Sequence, residues 1–255
     1  MTDITSRYPQ RVRNELRFRE LTVLRAERIS AGFQRIVLGG DALKGFCSHG
    51  FDDHTKVFFP QAGAPFVPPT VTDEGIVWGE GARPASRDYT PLYDEARHEL
   101  ALDFFIHDGG VASRWAMQAR EGDTVTIGGP RGSLVVPEDY AYQVYVCDES
   151  GMPALRRRLE ALSRLPVRPS VTALVSVNDP AYRDYLAHLD GFNIEWLAHD
   201  EQAIDARLAQ LSVPAADYFI WVTGEGKVVK NLSRRFESDA FDPQLVRAAA
   251  YWHRK

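Results

Sequence analysis

The feature that most constrains the fold is a change of sequence rhythm near residue 140. Between residues 21 and 137, short runs rich in Val, Ile, Phe, Thr and Tyr alternate with turn residues, which is typical of antiparallel strands. From residue 142 onward, apolar runs alternate with helical segments, which predicts a doubly wound parallel sheet. We therefore predict two domains, an antiparallel β-barrel over residues 1–137 and an α/β domain over residues 138–255.

The two residue patterns predict specific helices and strands. The first domain is expected to hold strands at 21–28, 34–38, 56–59, 75–78, 88–92, 99–106 and 124–127, a helix at 112–120, and loops at 61–73 and 80–86. The second is expected to hold strands at 143–147, 170–177, 192–198 and 218–223 and helices at 153–162, 182–189, 201–211 and 227–237.

Composition excludes several classes of function. The net charge of -5 argues against a general nucleic-acid or membrane-surface binder, and no segment approaches the ~20 apolar residues of a membrane span. Cys47 and Cys147 lack C-x-x-C spacing and a histidine cluster, so no metal site is predicted. The arginines between residues 7 and 19 are interpreted as a solvated basic arm. We expect a reduced, cytoplasmic protein and, because heptads are absent, a monomer.

The tetrapeptide Arg87-Asp88-Tyr89-Thr90 combines a cation, an aromatic face and a hydroxyl. In a strand, Arg87 and Tyr89 would point to one side and Thr90 to the other. This set suits a flavin, whose flat ring needs an apolar partner and whose pyrophosphate, in FAD, needs an arginine. The following stretch 107–115 adds the pair Gly109-Gly110 and a helix start whose free N–H groups could hold a pyrophosphate. Each piece alone is also compatible with simple packing, because strand tyrosines are usually packing residues.

In the second domain, ligands are expected beyond the carboxyl ends of the strands. These ends are residues 147–151 and 223–226, and both lead into helix N-termini. A nucleotide pyrophosphate could lie there, although G-x-G-x-x-G is absent. Two ordinary strand-to-helix turns that need glycine explain the same residues equally well.

An ordered set of motifs covers nearly the whole chain. It comprises residues 53–60, 87–90, 107–115, 129–133, 148–154, 221–225 and 250–252. Together these motifs resemble the siderophore-interacting proteins, a branch of the ferredoxin reductase-like superfamily. The resemblance implies an FAD-dependent reductase that uses NADPH to release iron as Fe(II) from imported ferric siderophores. It implies no catalytic side chain, since the flavin carries the electrons.

The resemblance also assigns site residues. In the first domain the cofactor contacts would be Arg87 on the FAD phosphate, Tyr89 on the isoalloxazine, Thr90 near its reactive nitrogen, and Asp88, Phe104, Ile106, His107, Gly110, Val111, Ala112, Ser113 and Trp115. In the second domain they would be Ser150, Gly151, Gly224, Glu225 and Trp252. The basic residues Lys56, Arg131 and Arg247 would receive the anionic ferric chelate, because three cations attract and steer a trianion. The alternative is that these three are solvated surface charges.

Other interpretations stay open. A general NAD(P)H-dependent flavodoxin or ferredoxin reductase would share the architecture, and a non-catalytic flavin or iron-chelate sensor would keep a degenerate nicotinamide domain. The intact residues Ser150, Gly151, Gly224 and Glu225 argue against degeneration. After the second strand of this domain, Ser176, Asn178 and Arg183 could hold a 2′-phosphate, whereas Asp179 would suit a free ribose hydroxyl. The preference for NADPH therefore rests on the resemblance.

Overall fold

The chain divides into two compact units in the computed structural model, which describes residues 7–59, 66–72, 75–79 and 83–254. The N-terminal unit is Arg11–Leu134. The C-terminal unit comprises Val135–Lys255 and the segment that ends at Gln10. Of the predicted loops, residues 61–65, 73 and 80–82 lie outside the described residues.

Seven strands of the N-terminal unit form one antiparallel sheet in the order β7-β4-β10-β2-β3-β9-β8, while β5 pairs with β6 and β1 with β11. The elements are β1 Gln10–Arg13, β2 Phe18–Arg28, β3 Phe33–Gly39, β4 Thr55–Phe58, β5 Thr70–Thr72, β6 Gly75–Val77, β7 Ser86–Tyr89, β8 Leu92–Asp94, β9 Glu99–Phe105, α1 Val111–Gln118, β10 Thr124–Gly128 and β11 Gly132–Val135. The predicted antiparallel domain with one internal helix is confirmed, with β7 and β8 as the edges of a half-barrel.

Helix α1 packs against one face of this sheet. It contributes Ala112 and Ala116, which stand one turn apart on the same side of the helix and are almost completely buried. The sheet contributes alternate apolar side chains of β2, β3, β4, β9 and β10, among them Leu21, Val57 and Phe104. Each such buried side chain stabilises the fold by about 1.5–3 kcal/mol relative to an exposed one.

The C-terminal unit contains a five-stranded parallel sheet in the order β14-β13-β12-β15-β16. Its elements are β12 Tyr142–Cys147, α2 Met152–Leu162, β13 Ser170–Ser176, β14 Asn193–Leu197, α3 Glu201–Ala209, β15 Tyr218–Glu225, α4 Gly226–Ser233 and β16 Val246–Trp252. The predicted doubly wound sheet is confirmed. The strand order reverses between β12 and β15, and such a reversal is where doubly wound sheets bind nucleotides.

Several local predictions were wrong. Strands β1, β8, β11 and β16 were missed, and residues 70–72 are a strand instead of a loop. The predicted helix at 182–189 is present as the 3₁₀ helix Pro180–Leu189. Pro91, which has no N–H to donate, separates β7 from β8 where one strand was predicted.

The arginine-rich start is not a solvated arm throughout. Arg19 is 4% exposed, and its guanidinium donates to the carbonyls of Ala42 (2.7 Å) and Gly45 (3.1 Å). Arg7 pairs with Asp217. Across the described ranges, no helix is both long and apolar enough to cross a bilayer.

Candidate functional site

An aromatic cluster connects strand β7 to helix α1. The ring of Tyr89, the last residue of β7, lies 4.2 Å from that of Phe104 on β9. Phe104 lies 5.6 Å from Trp115 of α1, and Trp115 lies 5.7 Å from Phe59. Burial raises the pKa of the Tyr89 phenol, and the neighbouring Arg87 lowers it. Phe104 is completely buried, so Tyr89 packs against a ring that belongs to the core. Tyr89, Trp115 and Ile106 are half-buried.

The polar residues of β7 lie on an edge strand. Asp88 is in register with Lys56 of β4, and the Lys56 Nζ stands 2.8 Å from the Asp88 Oδ1. Arg87 is exposed and donates to the carbonyl of Ser86 at 2.7 Å. Thr90, which follows the strand, is 6% exposed. A carboxylate therefore partly offsets the charge of Lys56, which the sequence alone did not show.

The three basic residues that are predicted to receive the ferric chelate are divided between the two units. Lys56 is in register with Gly128 at the end of β10, and Arg131 follows as an exposed residue in the turn before β11. Both belong to the N-terminal unit. Arg247 belongs to the C-terminal unit, where it stands on β16 in register with Trp221.

The segment that leads into α1 is shaped by glycine and by Ser113. The Ser113 Oγ accepts from the His107 backbone N–H at 3.2 Å and donates to the Phe105 carbonyl at 3.4 Å. A Cβ atom on Gly110 would stand 2.8 Å from the Cε1 of His107, so a larger residue would displace that ring. Gly109 has a φ of 78°, in the left-handed region that favours glycine.

The start of α1 differs from those of α3 and α4 in the C-terminal unit, whereas α2, with Gly151 at its N-cap, also lacks a side-chain cap. Asp200 caps α3 by accepting from the backbone N–H groups of residues 202 and 203, and Glu225 caps α4 in the same way at residues 227 and 228. Helix α1 has Gly110 at its N-cap and no acidic residue in its first turn. The first N–H groups of α1, from Val111, Ala112 and Ser113, thus lack a side-chain cap and suit an anion such as a pyrophosphate.

Where the strand order of the C-terminal unit reverses, the buried Asp148 contacts three residues that were predicted to bind the cofactor. Its Oδ1 accepts from the backbone N–H of Ser150 at 2.9 Å and from the Ser150 hydroxyl, and its Oδ2 accepts from the indole N–H of Trp252 at 2.8 Å. Burial raises the pKa of Asp148, and the hydrogen bonds from Ser150 and Trp252 oppose that shift. A Cβ on Gly224, whose φ is 136°, would stand 2.7 Å from the Asp148 Oδ2.

The other two residues predicted to bind the cofactor in this unit, Gly151 and Glu225, contact neighbouring parts of the chain. A Cβ on Gly151 would stand 2.5 Å from the Thr223 Cγ2 and 2.6 Å from the Cys147 Cβ, so glycine permits this close approach of loop and strands. Besides capping α4, Glu225 accepts from the backbone N–H of Arg254 at 3.2 Å. The carboxylate of Glu225 is therefore committed to backbone donors.

Sequence reasoning missed Glu149 and His199. Glu149 is 3% exposed, and its Oε1 accepts from the backbone N–H of Asn178 at 2.7 Å. The Nε2 of His199 stands 2.9 Å from the Glu149 Oε2. The one signal for Glu149 was two consecutive carboxylates directly after an apolar strand. Nothing in the sequence indicated that His199, 50 positions later, would reach it.

Within the described part of the chain, no group of three His, Cys, Asp or Glu side chains could hold a metal ion. The exposed Cys47 and the buried Cys147 are both free thiols.

The sequence matches models of known protein families over both units. The family described as "Siderophore-interacting FAD-binding domain" matches residues 22–134, and the one described as "Siderophore-interacting protein" matches residues 140–255. The chain is 81% identical over 251 residues to the "NADPH-dependent ferric-chelate reductase" of Escherichia coli K12, which covers 98% of this chain and 99% of that protein. The chain belongs to the siderophore-interacting protein family.

Two further relatives agree with this membership. A protein of Vibrio cholerae, "Ferric vibriobactin reductase ViuB", is 29% identical over 248 residues, which are 92% of this chain and 89% of that one. A siderophore utilization protein from T. fusca has a crystal structure that superposes with a TM-score of 0.84 at 31% identity and 96% coverage of both chains. The ferredoxin reductase-like fold implied by the motifs is thereby confirmed for both units.

Proposed function

We propose that this chain is an NADPH-dependent ferric-chelate reductase that uses FAD and releases iron as Fe(II) from ferric siderophores. The observation that carries the proposal is the 81% identity to the Escherichia coli reductase, because the match covers 98% of the chain and therefore both units. Bound FAD accepts two electrons together from a nicotinamide and passes them singly to an acceptor.

The residues of the N-terminal unit fit FAD. The uncapped start of α1 offers backbone N–H groups to the pyrophosphate, and the exposed Arg87 adds a guanidinium. Tyr89, held against Phe104, offers an aromatic face to the isoalloxazine. The hydroxyl of Thr90 and the His107–Ser113 segment complete the predicted cofactor contacts.

The C-terminal unit fits NADPH better than NADH. Asp179, the residue that would suit a free ribose hydroxyl, accepts from the backbone N–H of Ala181 at 2.8 Å and so caps the following 3₁₀ helix. Asn178 and Arg183 are exposed, and the Arg183 guanidinium lies 5.9 Å from the ring centre of Trp196. The exposed donors of Asn178 and Arg183, beside a carboxylate that uses one oxygen to cap the helix, favour recognition of a 2′-phosphate.

The substrate is a ferric chelate of high negative charge. Lys56, Arg131 and Arg247 provide local positive charge in a chain whose net charge is -5. Positive charge at the approach to the cofactor raises the encounter rate with an anion. Because electron transfer requires proximity rather than covalent contact, attraction by charge is sufficient for chelates of differing shape.

The remaining parts of the proposal concern organisation and location. Residues 1–137 bind FAD, residues 138–255 bind NADPH, and one copy of the chain carries out the reaction as a monomer. The free thiols Cys47 and Cys147 and the use of NADPH favour the cytoplasm.

The test is a steady-state assay with purified FAD-loaded protein, NADPH, a ferric tris-catecholate and a chromophoric ferrous chelator that traps the product. We expect Fe(II) formation that depends on both NADPH and FAD. NADPH oxidation that requires a flavodoxin or ferredoxin and is indifferent to the chelate would instead identify a general reductase. Absence of NADPH oxidation with every acceptor would favour the sensor.

A further inference from the structure

Glu149 connects the carboxyl ends of three neighbouring strands. It lies two residues after β12, and its Oε1 accepts from the backbone N–H of Asn178, two residues after β13. Its Oε2 faces His199, two residues after β14. The same imidazole nitrogen of His199 stands 3.2 Å from the carbonyl of Ser176, the last residue of β13. The pair thus holds both ends of the segment Ser176–Asn178.

The chemistry of these contacts fixes the hydrogen positions. The Nε2 of His199 faces a carboxylate oxygen and a carbonyl oxygen, which both only accept, so this nitrogen carries a hydrogen. Each oxygen of Glu149 receives a different donor, Asn178 N–H at one and His199 Nε2–H at the other. Glutamine at position 149 would place an NH₂ group against one of these donors and leave it unpaired in a site that is 3% exposed.

The segment held by the pair has a defined place in the fold. In a doubly wound sheet, the residues after the second strand contact the ribose of the adenosine half of a dinucleotide. Here the second strand is β13, and the residues after it include the exposed donor Asn178. Neither Glu149 nor His199 is needed to hold the sheet itself together, because β12, β13 and β14 pair through their own backbones.

We propose that Glu149 and His199 are positioning residues that hold the Ser176–Asn178 segment in the conformation that recognises the 2′-phosphate of NADPH. The inference rests on the proposed use of NADPH. It assigns nucleotide selectivity in part to two side chains that act through this segment rather than by direct contact with the ligand.

The test measures binding of adenosine 2′,5′-bisphosphate and of 5′-AMP to the FAD-loaded protein by calorimetry. We expect Glu149→Gln and His199→Ala to weaken the bisphosphate about tenfold, the effect of one unpaired buried donor, and to change 5′-AMP binding less than twofold. His199→Gln places an amide NH₂ near the position of Nε2 and should restore bisphosphate binding to within about threefold of wild type.

The chain offers a matched control pair. Glu160 and His188 form the same kind of contact, with the His188 Nε2 2.9 Å from the Glu160 Oε1, but on the last turns of α2 and of the 3₁₀ helix. Helices that follow the strands run back toward the end of the sheet where the strands begin. This pair therefore lies away from the carboxyl ends of the strands, where the nucleotide is expected. Glu160→Gln and His188→Ala should leave the affinity for both nucleotides unchanged.

A second measurement separates this inference from the proposed function. Each variant is reduced with dithionite and mixed with a ferric tris-catecholate, a route that needs no nucleotide, and we expect wild-type reoxidation rates in all variants. Failure of this reaction in the wild type would refute the reductase while leaving the calorimetry to decide the inference. Equal bisphosphate affinity in wild type, Glu149→Gln and His199→Ala would overturn the inference, as would equal losses in the control variants.

Discussion

Tyr89 depends on Phe104 for its position at the edge of the sheet. The Tyr89 ring stands 4.2 Å from a completely buried partner, so its orientation is set by the core. Tyr89→Ala removes the aromatic face, and we expect about a tenfold weaker binding of FAD, because ring contacts contribute about 0.5–1.5 kcal/mol beyond their buried area. Fluorescence titration of the apoprotein measures this. Tyr89→Phe keeps the ring and should bind FAD nearly as wild type, and equal losses in the two variants would exclude ring packing.

The Lys56–Asp88 ion pair predicts opposite effects of two neighbouring substitutions. Lys56→Ala should raise the KM for a trianionic ferric chelate about threefold, and Asp88→Asn, which frees the lysine charge, should lower it by a similar factor. A neutral ferric chelate serves as the control, and its KM should change in neither variant when both are measured fully loaded with FAD. Shifts of the same sign, or equal shifts with the neutral chelate, would refute recognition by charge.

His199 gives the folded protein a pH-dependent contribution. The hydrogen bond to Glu149 raises the pKa of His199 above its ordinary value of 6.5, and the charge of Asp148 acts in the same direction. A raised pKa means that this stabilisation is complete below about pH 6.5 and is lost as the pH rises through the folded-state pKa. The free energy of unfolding of wild type minus that of His199→Gln should therefore decrease between pH 6 and 9 in urea titrations. A difference independent of pH would contradict this.

At these positions the sequence predicted which chemical groups the site contains, but not which side chains contact each other. The Arg87–Thr90 motif indicated an aromatic face, a cation and a hydroxyl, and the structure places all three at the end of one strand. It did not indicate that Asp88 faces Lys56, because that contact depends on the register of β4 against β7. Register depends on turn geometry and on which face of each strand is buried, and a four-residue motif contains neither.

Helix caps are the element-scale feature that separates α1 from α3. Asp200 accepts from the N–H groups of Gln202 at 2.9 Å and Ala203 at 3.2 Å. Asp200→Ala should lower the free energy of unfolding by about 1 kcal/mol, whereas Asp200→Asn, which also caps well, should cost only a few tenths. Urea denaturation with circular dichroism measures both. A loss of equal size in the two variants would show that the cap does not stabilise α3.

The elements that sequence reasoning missed have physical explanations. Strand β16 contains three consecutive alanines, residues 248–250, which have low strand propensity, and it forms because β15 supplies a parallel partner. In the segment Pro180–Leu189 the buried Leu186 and Leu189 are three residues apart, a spacing that fits one face of either helix type. By contrast, the continuous apolar runs of β12, β13 and β15 were predicted, because burial on both faces leaves an unambiguous pattern.

At the scale of the whole molecule, the proposed function assigns one half of the chemistry to each unit. The N-terminal unit has the aromatic face and the uncapped helix start that fit FAD, and the C-terminal unit has the strand-order reversal that fits a dinucleotide. The change of sequence rhythm predicted this division, since strand period and strand–helix alternation are properties of long segments.

We propose that electrons pass from NADPH to FAD and then to a ferric chelate on this one chain. The measurement that tests it most directly is an anaerobic visible spectrum of the FAD-loaded protein, recorded while NADPH and then a ferric tris-catecholate are added. We predict that NADPH bleaches the flavin band and that the chelate restores it. A band that NADPH does not bleach, or one that bleaches and returns only with a protein acceptor, would contradict the account.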